Sequence, residues 1–267
     1  MTREIEDRSL VDCGSSNKSQ RQLTDEYLKT CNPTCKSDKT ANQPEASTFS
    51  IKQGMIGPPL PPESDPCYFL AKQHLESVIA ESEFKDRDYE KAYKRAKAIV
   101  KAWQDKCVDE NAARFNSFPE QCLAARSRAK LGEDASPDFR FAIETVLSNM
   151  KRRAATGTKS ELQDYAPQLY LEMAQNLMAL NPKQKGSPKG QEEAQSALKA
   201  ATEGIEFIDK FKRDGSSSKI QTELYRTRAE AKRALGDEKG AAKDLFKAKD
   251  LERELDMPRF QPKNLDR

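Results

Sequence analysis

Tyr225–Ala248 reads YRTRAEAKRALGDEKGAAKDLFKA, and this stretch holds the clearest evidence for a helical repeat. Alanines recur in both halves of it at helical spacing, and Leu235-Gly236-Asp237 separates the two halves. Glycine commonly ends a helix, and aspartate commonly begins the next one. Two antiparallel helices approach closely only where small residues face each other and larger residues fill the space beside them. The stretch therefore predicts a tight helical hairpin.

The same spacing of small and large residues recurs upstream. Residues 170–180 match the first helix of the hairpin, residues 194–201 match the second, and Asn181–Gly190 replaces the tight turn with a longer loop. Two weaker units follow the same order at residues 70–99 and 123–149. Such repetition is typical of helical arrays, although a single helical bundle is the alternative. The helices of the later part are predicted near 118–132, 138–153, 160–180, 190–212, 217–235 and 238–255.

An aromatic residue in the first helix, a small residue one turn later, a turn glycine and a small-large-small second helix resemble the tetratricopeptide repeat (TPR) family. The resemblance covers roughly residues 67–255. It implies an all-α fold in which antiparallel helix pairs stack as a right-handed α-solenoid, with the first helix of each pair lining a concave groove. On this resemblance the partner-binding residues of the groove would be Arg126, Leu171, Gln175, Arg226, Glu230 and Arg233.

Composition divides the chain into three parts. Residues 1–65 are rich in polar side chains and too poor in large apolar ones to offset the entropy of ordering, so they predict a disordered N-terminal arm. Residues 66–257 carry the helical pattern and form the predicted TPR-like domain, and 258–267 form a C-terminal tail. The arm ends in the proline-rich stretch Pro58–Pro62, which we interpret as a semi-rigid spacer. A ligand for a WW-type module is the alternative for that stretch.

The charge balance and hydropathy argue against two classes of partner. The chain has 46 basic and 43 acidic residues, and this balance lacks the one-sided excess of a protein that coats nucleic acid. No apolar run approaches the roughly 20 residues that span a membrane, and the first residues lack the apolar stretch of a signal peptide. The sequence thus predicts a soluble, cytoplasmic protein that contacts neither nucleic acid nor a membrane.

Side chains suited to catalysis or metal binding are few. The one histidine, His74, lies among apolar residues at helical spacing, and we interpret it as a partly buried structural residue. The six cysteines are expected to be free thiols, with disulfides as the alternative, and Cys31 and Cys35 lack two further ligands at zinc spacing. Ala155–Ser160 resembles the end of a phosphate-binding loop but has no glycine directly before Lys159, so we interpret it as an interhelical loop. We therefore expect no catalytic, cofactor-binding or metal site.

The sequence as a whole favours a binding protein over an enzyme. We expect a scaffold or adaptor whose concave groove holds a peptide or helix of a partner protein. The alternative is a structural subunit of a larger assembly, tethered by residues 1–65, and an enzyme with an unrecognised site is the third possibility. Trp103, the only tryptophan, is expected in the core of the first helix pair.

Overall fold

A computed structural model describes residues 68–107, 109–180, 187–211 and 217–256. All regular structure in these ranges is helical, which confirms the predicted all-α class. The predicted arm at 1–65, with Pro58–Pro62, and the tail at 258–267 lie outside the described residues. The α-helices are α1 (Tyr68–Lys85), α2 (Tyr89–Lys106), α3 (Glu110–Asn116), α4 (Phe118–Lys130), α5 (Ser136–Ala155), α6 (Ala166–Leu180), α7 (Pro188–Phe211), α8 (Ser217–Ala234) and α9 (Glu238–Asp256), with a short 3₁₀ helix, Glu161–Tyr165, between α5 and α6.

The chain divides into two compact units, Met1–Leu123 and Ala124–Arg267. The division falls within α4, so the predicted domain at 66–257 encloses parts of both units. The first unit holds α1 to α3, and the second holds α5 to α9.

The core of the first unit forms where α1 packs against α2 and α2 contacts α3. Asp88 begins α2, because its side chain accepts a hydrogen bond from the backbone N–H of Lys91 at 3.4 Å. Trp103 is buried next to Ile99, and its ring meets the ring of Phe69 edge-on, with 5.1 Å between centroids. The expectation that Trp103 lies in the core is confirmed.

Helix α3 was not predicted from the sequence. Its seven residues are too few to display a helical period. The Asp109 side chain accepts a hydrogen bond from the Asn111 N–H at 2.9 Å at the start of α3. At its end, Ser117 Oγ donates to the Ala113 carbonyl at 2.8 Å. The helix therefore depends on its capping side chains and on the burial of Phe115 more than on a repeated apolar pattern.

Glu120 is a buried carboxyl group in the first unit. Ser77 Oγ donates a hydrogen bond to Oε1 of Glu120, while Oε2 has no hydrogen-bond partner among the described residues. Burial raises the pKa of the Glu120 carboxyl, and the hydrogen bond from Ser77 offsets only part of that effect. Holding the charged form in the folded unit therefore costs free energy that the neutral acid does not.

We predict that Glu120→Gln raises the free energy of unfolding of the first unit at neutral pH by about 1–2 kcal/mol. The pKa of Glu120 is higher in the folded state than in the unfolded state. The stability that the neutral acid contributes at low pH is therefore lost as the pH rises through the folded-state pKa. Urea unfolding followed by Trp103 fluorescence at about pH 4 and about pH 7.5 measures the difference between variant and wild type. The variant should gain only at the higher pH, and Glu110→Gln, at an exposed carboxyl, should gain at neither. Equal stability of Glu120→Gln and wild type at both pH values would contradict the prediction.

The second unit is held together by close helix–helix contacts. Helix α7 contacts both α6 and α8, α6 also contacts α5 and α8, and α8 contacts α9. At Gly204 in α7, an added Cβ would lie 2.9 Å from Tyr170 Cβ and 3.0 Å from Leu224 Cδ2, so only glycine fits between α6 and α8. The small residues that the repeat pattern predicts between helices are all buried: Ala174, Ala194, Ala201, Ala229, Ala241 and Ala248.

Two of the predicted connections between helices depend on local backbone conformation and hydrogen bonds. Gly236 ends α8 with φ of 85°, a conformation that side chains with a Cβ rarely adopt, and Asp237 accepts a hydrogen bond from the Gly240 N–H at 2.8 Å. The interhelical loop predicted at Ala155–Ser160 begins directly after Ala155, the last residue of α5, and Ser160 Oγ accepts from the Leu162 N–H at 3.2 Å. The residues that form both connections could therefore be identified from the sequence.

Candidate functional site

The six residues predicted at the groove all lie in the second unit, and they stand on three helices. Among them Gln175, Glu230 and Arg233 are exposed, and they stand on α6 and α8, which contact each other. Leu171 is only 5% exposed and belongs to the core, so it does not present a surface to a partner. We call Gln175, Glu230 and Arg233 the A-helix surface. The full set is Arg126 on α4, Leu171 and Gln175 on α6, and Arg226, Glu230 and Arg233 on α8.

Arg126 forms an ion pair with a residue of a neighbouring helix. Its guanidinium donates from Nε and Nη2 to the two carboxylate oxygens of Glu172, each at 2.9 Å, and both side chains of the pair are largely buried. Gln168 Nε2 adds a further hydrogen bond to Glu172 at 2.9 Å. Since two-pronged pairing of this kind fixes the geometry of arginine, Arg126 chiefly joins α4 to α6.

Arg226 and Arg233 differ in how firmly they are held. Arg226 is half-buried and donates to Glu223 at 2.7 Å and to Glu252 on α9. Arg233 pairs with Glu238 at 3.7 Å, and both of these side chains are exposed. Exposed pairs at such a distance contribute little, so the guanidinium of Arg233 can exchange its partner for a ligand at small cost.

A largely buried ionic cluster in the second unit surrounds Asp244. Arg228 donates to both carboxylate oxygens at 2.8 and 2.6 Å, and Lys232 Nζ lies 2.8 Å from Oδ2. The guanidinium of Arg228 also lies over the Tyr225 ring, 4.9 Å from its centroid. Burial by itself would raise the pKa of Asp244, but the hydrogen bonds from Arg228 and Lys232 outweigh it and lower the pKa. The cluster therefore joins α8 to α9 as a fixed ion pair.

An apolar groove of about 460 Å³ lies between α5, α6 and α7. Its apolar side chains are Leu147, Met150 and Ala154 on α5, Tyr170 on α6, and Phe207 and Phe211 on α7. The rings of Phe207 and Phe211 are 4.7 Å apart, and Leu147 remains 40% exposed. The sequence pattern did not predict this groove, although two aromatic residues four positions apart at the end of one helix were a usable signal.

Charged side chains edge this groove. Glu203, Glu206 and Lys210 follow one another along α7, and Lys151 stands on α5. Burial, followed by the nearby Glu203 carboxylate, raises the pKa of Tyr170 to about 12. The phenol is therefore neutral at physiological pH, and the floor of the groove carries no charge.

A second groove, of about 500 Å³, lies between α1 and α2 in the first unit. Four of the residues that line it are basic, and three of these, Lys91, Lys94 and Arg95, form ion pairs with carboxylates. Arg95 donates to Glu83 at 3.0 and 2.9 Å and also to Glu76. Two further ion pairs join Lys91 to Asp88 and Lys94 to Glu90. Because these carboxylates offset the cations, the groove is a poor site for an anionic ligand.

In the part of the chain that the structure describes, the residues suited to catalysis or metal binding do not cluster. His74 is exposed, so the interpretation of it as a partly buried residue is wrong. Within the described ranges, no three histidine, cysteine or acidic side chains come together as metal ligands would. Cys107 and Cys122 are buried thiols, and the other four cysteines lie outside the described residues.

Comparison with known proteins gave no relative: no protein-family model, no curated protein and no solved structure matches the chain. Residues 68–107, 109–180, 187–211 and 217–256 contain no helix with the length and apolar character that crossing a membrane requires.

Proposed function

We propose that the chain is a TPR-like scaffold or adaptor that binds a peptide or helix of a partner protein at the A-helix surface. The observation that carries the proposal is the order of contacts in the second unit, where α6 contacts its partner α7 and also α8. In a TPR-like array, first helices of successive pairs stand side by side in this way and form the inner surface. The glycine and alanines buried between α6, α7 and α8 supply the small residues that such stacking needs.

The chemistry of the A-helix surface suits a peptide ligand. Gln175 both donates and accepts hydrogen bonds, so its amide can pair with a peptide group of a partner. Arg233 offers a planar set of N–H donors for a carboxylate, and Glu230 accepts from a cation or an N–H group. All three side chains are exposed and stand on neighbouring helices. The resulting surface is polar, which suits reversible binding of a partner.

Affinity capture from native cells with the full chain tests this proposal. The triple variant Gln175→Ala, Glu230→Ala and Arg233→Ala should recover about tenfold less of the specific partner than wild type. The matched control is Glu192→Ala, Gln195→Ala and Lys199→Ala, which removes similar exposed side chains from α7 and should recover the same amount. Equal recovery by the A-helix variant and wild type would remove the surface assignment.

The same affinity capture distinguishes the scaffold proposal from the alternative, a structural subunit tethered by residues 1–65. The alternative is motivated by the length and polar composition of that segment. If the alternative holds, deletion of residues 1–65 abolishes the assembly and the A-helix variant leaves it intact. The scaffold proposal expects the opposite pair of results.

A further inference from the structure

The apolar groove between α5, α6 and α7 is separate from the A-helix surface. Tyr170, which forms part of its floor, and Gln175 are five positions apart on α6 and so point in directions about 140° apart around the helix axis. None of the residues that line the groove belongs to the A-helix surface. The groove thus offers the second unit another place to contact a protein, independent of the proposed function.

The shape and size of the groove fit more than one side chain. Its volume of about 460 Å³ exceeds that of any single residue and lies in the range of ligand sites. Leu147 is 40% exposed at the rim, whereas Phe207 and Tyr170 are buried at the floor. A ligand that covers Leu147 and Phe211 removes this apolar surface from water.

The walls of the groove determine which backbone conformation an occupant needs. Both walls are helices, α5 and α7, in which the peptide groups at the groove are already hydrogen-bonded within the helix. An extended peptide would find no sheet edge there with which to pair its own N–H and C=O groups. A helix satisfies its own peptide groups, so it can present apolar side chains to these walls without that loss.

The charges at the rim specify the polar residues of the occupant. Glu203 and Lys210 stand seven positions apart on α7, so the wall changes from negative to positive over about 10 Å. Lys151 adds positive charge from α5. A complementary helix carries a basic residue near Glu203 and Glu206 and an acidic residue near Lys210.

We infer that this groove is a docking site for an amphipathic helix of a partner protein. The helix presents leucine, methionine or phenylalanine at positions i, i+3, i+4 and i+7, with basic residues towards one end and acidic residues towards the other. Its apolar side chains lie against Leu147, Met150 and Phe211. A linear peptide in extended conformation and a purely ionic ligand are excluded by this assignment.

Fluorescence anisotropy with labelled synthetic peptides and the full chain tests the inference. The probes are three peptides of about 16 residues that carry Leu, Met or Phe at the four apolar positions, with lysines in one half and glutamates in the other. Control peptides have the same composition with the apolar residues scattered, or with two prolines that block the helix. At least one striped peptide should bind wild type saturably with a Kd of about 100 µM or tighter, and the controls should bind at least about tenfold more weakly.

Two variants locate that binding. Leu147→Glu places a charge in the groove and should weaken binding by at least about tenfold, and Leu147→Ala should weaken it by about threefold without adding a charge. Phe246→Glu is the matched control, because Phe246 is 65% exposed on α9 and does not line the groove, and it should bind as wild type does. Far-UV circular dichroism checks that each variant is folded. The inference is overturned if no striped peptide binds wild type, if scattered or proline-containing peptides bind equally well, or if the Leu147 variants bind unchanged.

Discussion

Replacing Asp244 with alanine is expected to lower the free energy of unfolding of the second unit by about 3 kcal/mol. Asp244 is only 4% exposed and neutralises Arg228 and Lys232, which are themselves largely buried. Removal of the carboxylate leaves two cations close together with reduced access to water. Such a loss exceeds that of a surface ion pair because the remaining charges cannot be fully solvated.

Urea unfolding followed by far-UV circular dichroism measures the effect of Asp244→Ala. The matched control is Asp250→Ala, also on α9, whose partner Arg253 lies 3.6 Å away and is exposed, and it should cost less than about 1 kcal/mol. Because the folded-state pKa of Asp244 is lowered, its contribution is present above the unfolded pKa of about 3.9 and is lost as the pH falls through the folded-state value. A cost for Asp244→Ala no larger than that of the control would show that the cluster does not stabilise the fold.

Replacing Gly204 with valine should destabilise the second unit by a similar amount, about 3 kcal/mol. Even the Cβ would lie 2.9 Å from Tyr170 Cβ, which cannot turn away because it is fixed to the backbone of α6. The two methyl groups of valine would add contacts with Leu224, which is fully buried on α8. The helices α6, α7 and α8 would have to separate to admit the side chain.

The same unfolding experiment, with Ala242→Val as control, isolates the steric effect of Gly204→Val. Ala242 is exposed on α9, so its replacement by valine should lower the free energy of unfolding only by the difference in helix propensity, about 0.5 kcal/mol. Gly204→Ala should fall between the two, because alanine favours the helix by about 1 kcal/mol but still brings a Cβ into the contact. Wild-type stability for Gly204→Val would mean that α7 does not pack tightly between its neighbours.

The helices of the second unit were largely predictable because their ends depend on local residues. The helix predicted at 217–235 is Ser217–Ala234, and the one predicted at 138–153 is Ser136–Ala155. Gly236 and Asp237 mark such an end by chemistry that needs no tertiary context. Helix α3 escaped prediction because caps and burial, rather than a repeated apolar pattern, support its seven residues.

The candidate site was less predictable because exposure depends on which helices meet. The resemblance to a repeat pattern predicts Leu171 on the groove, but α6 is contacted by α5, α7 and α8 and buries most of its circumference. Arg126 and Arg226 were recognisable as charged residues, whereas their partners Glu172 and Glu252 lie 46 and 26 positions away. The apolar groove likewise requires α5 and α7 to stand near each other, which no local pattern encodes.

Site-specific photocrosslinking in native cells tests whether a partner protein binds at the A-helix surface. A photoreactive amino acid is placed at Gln175 or Glu230, on neighbouring helices α6 and α8, and at Gln195, an exposed position on α7, as the control. We expect the same partner protein to be crosslinked from positions 175 and 230 and not from 195. Crosslinks of equal yield from 195, or none from either of the other two positions, would contradict this expectation.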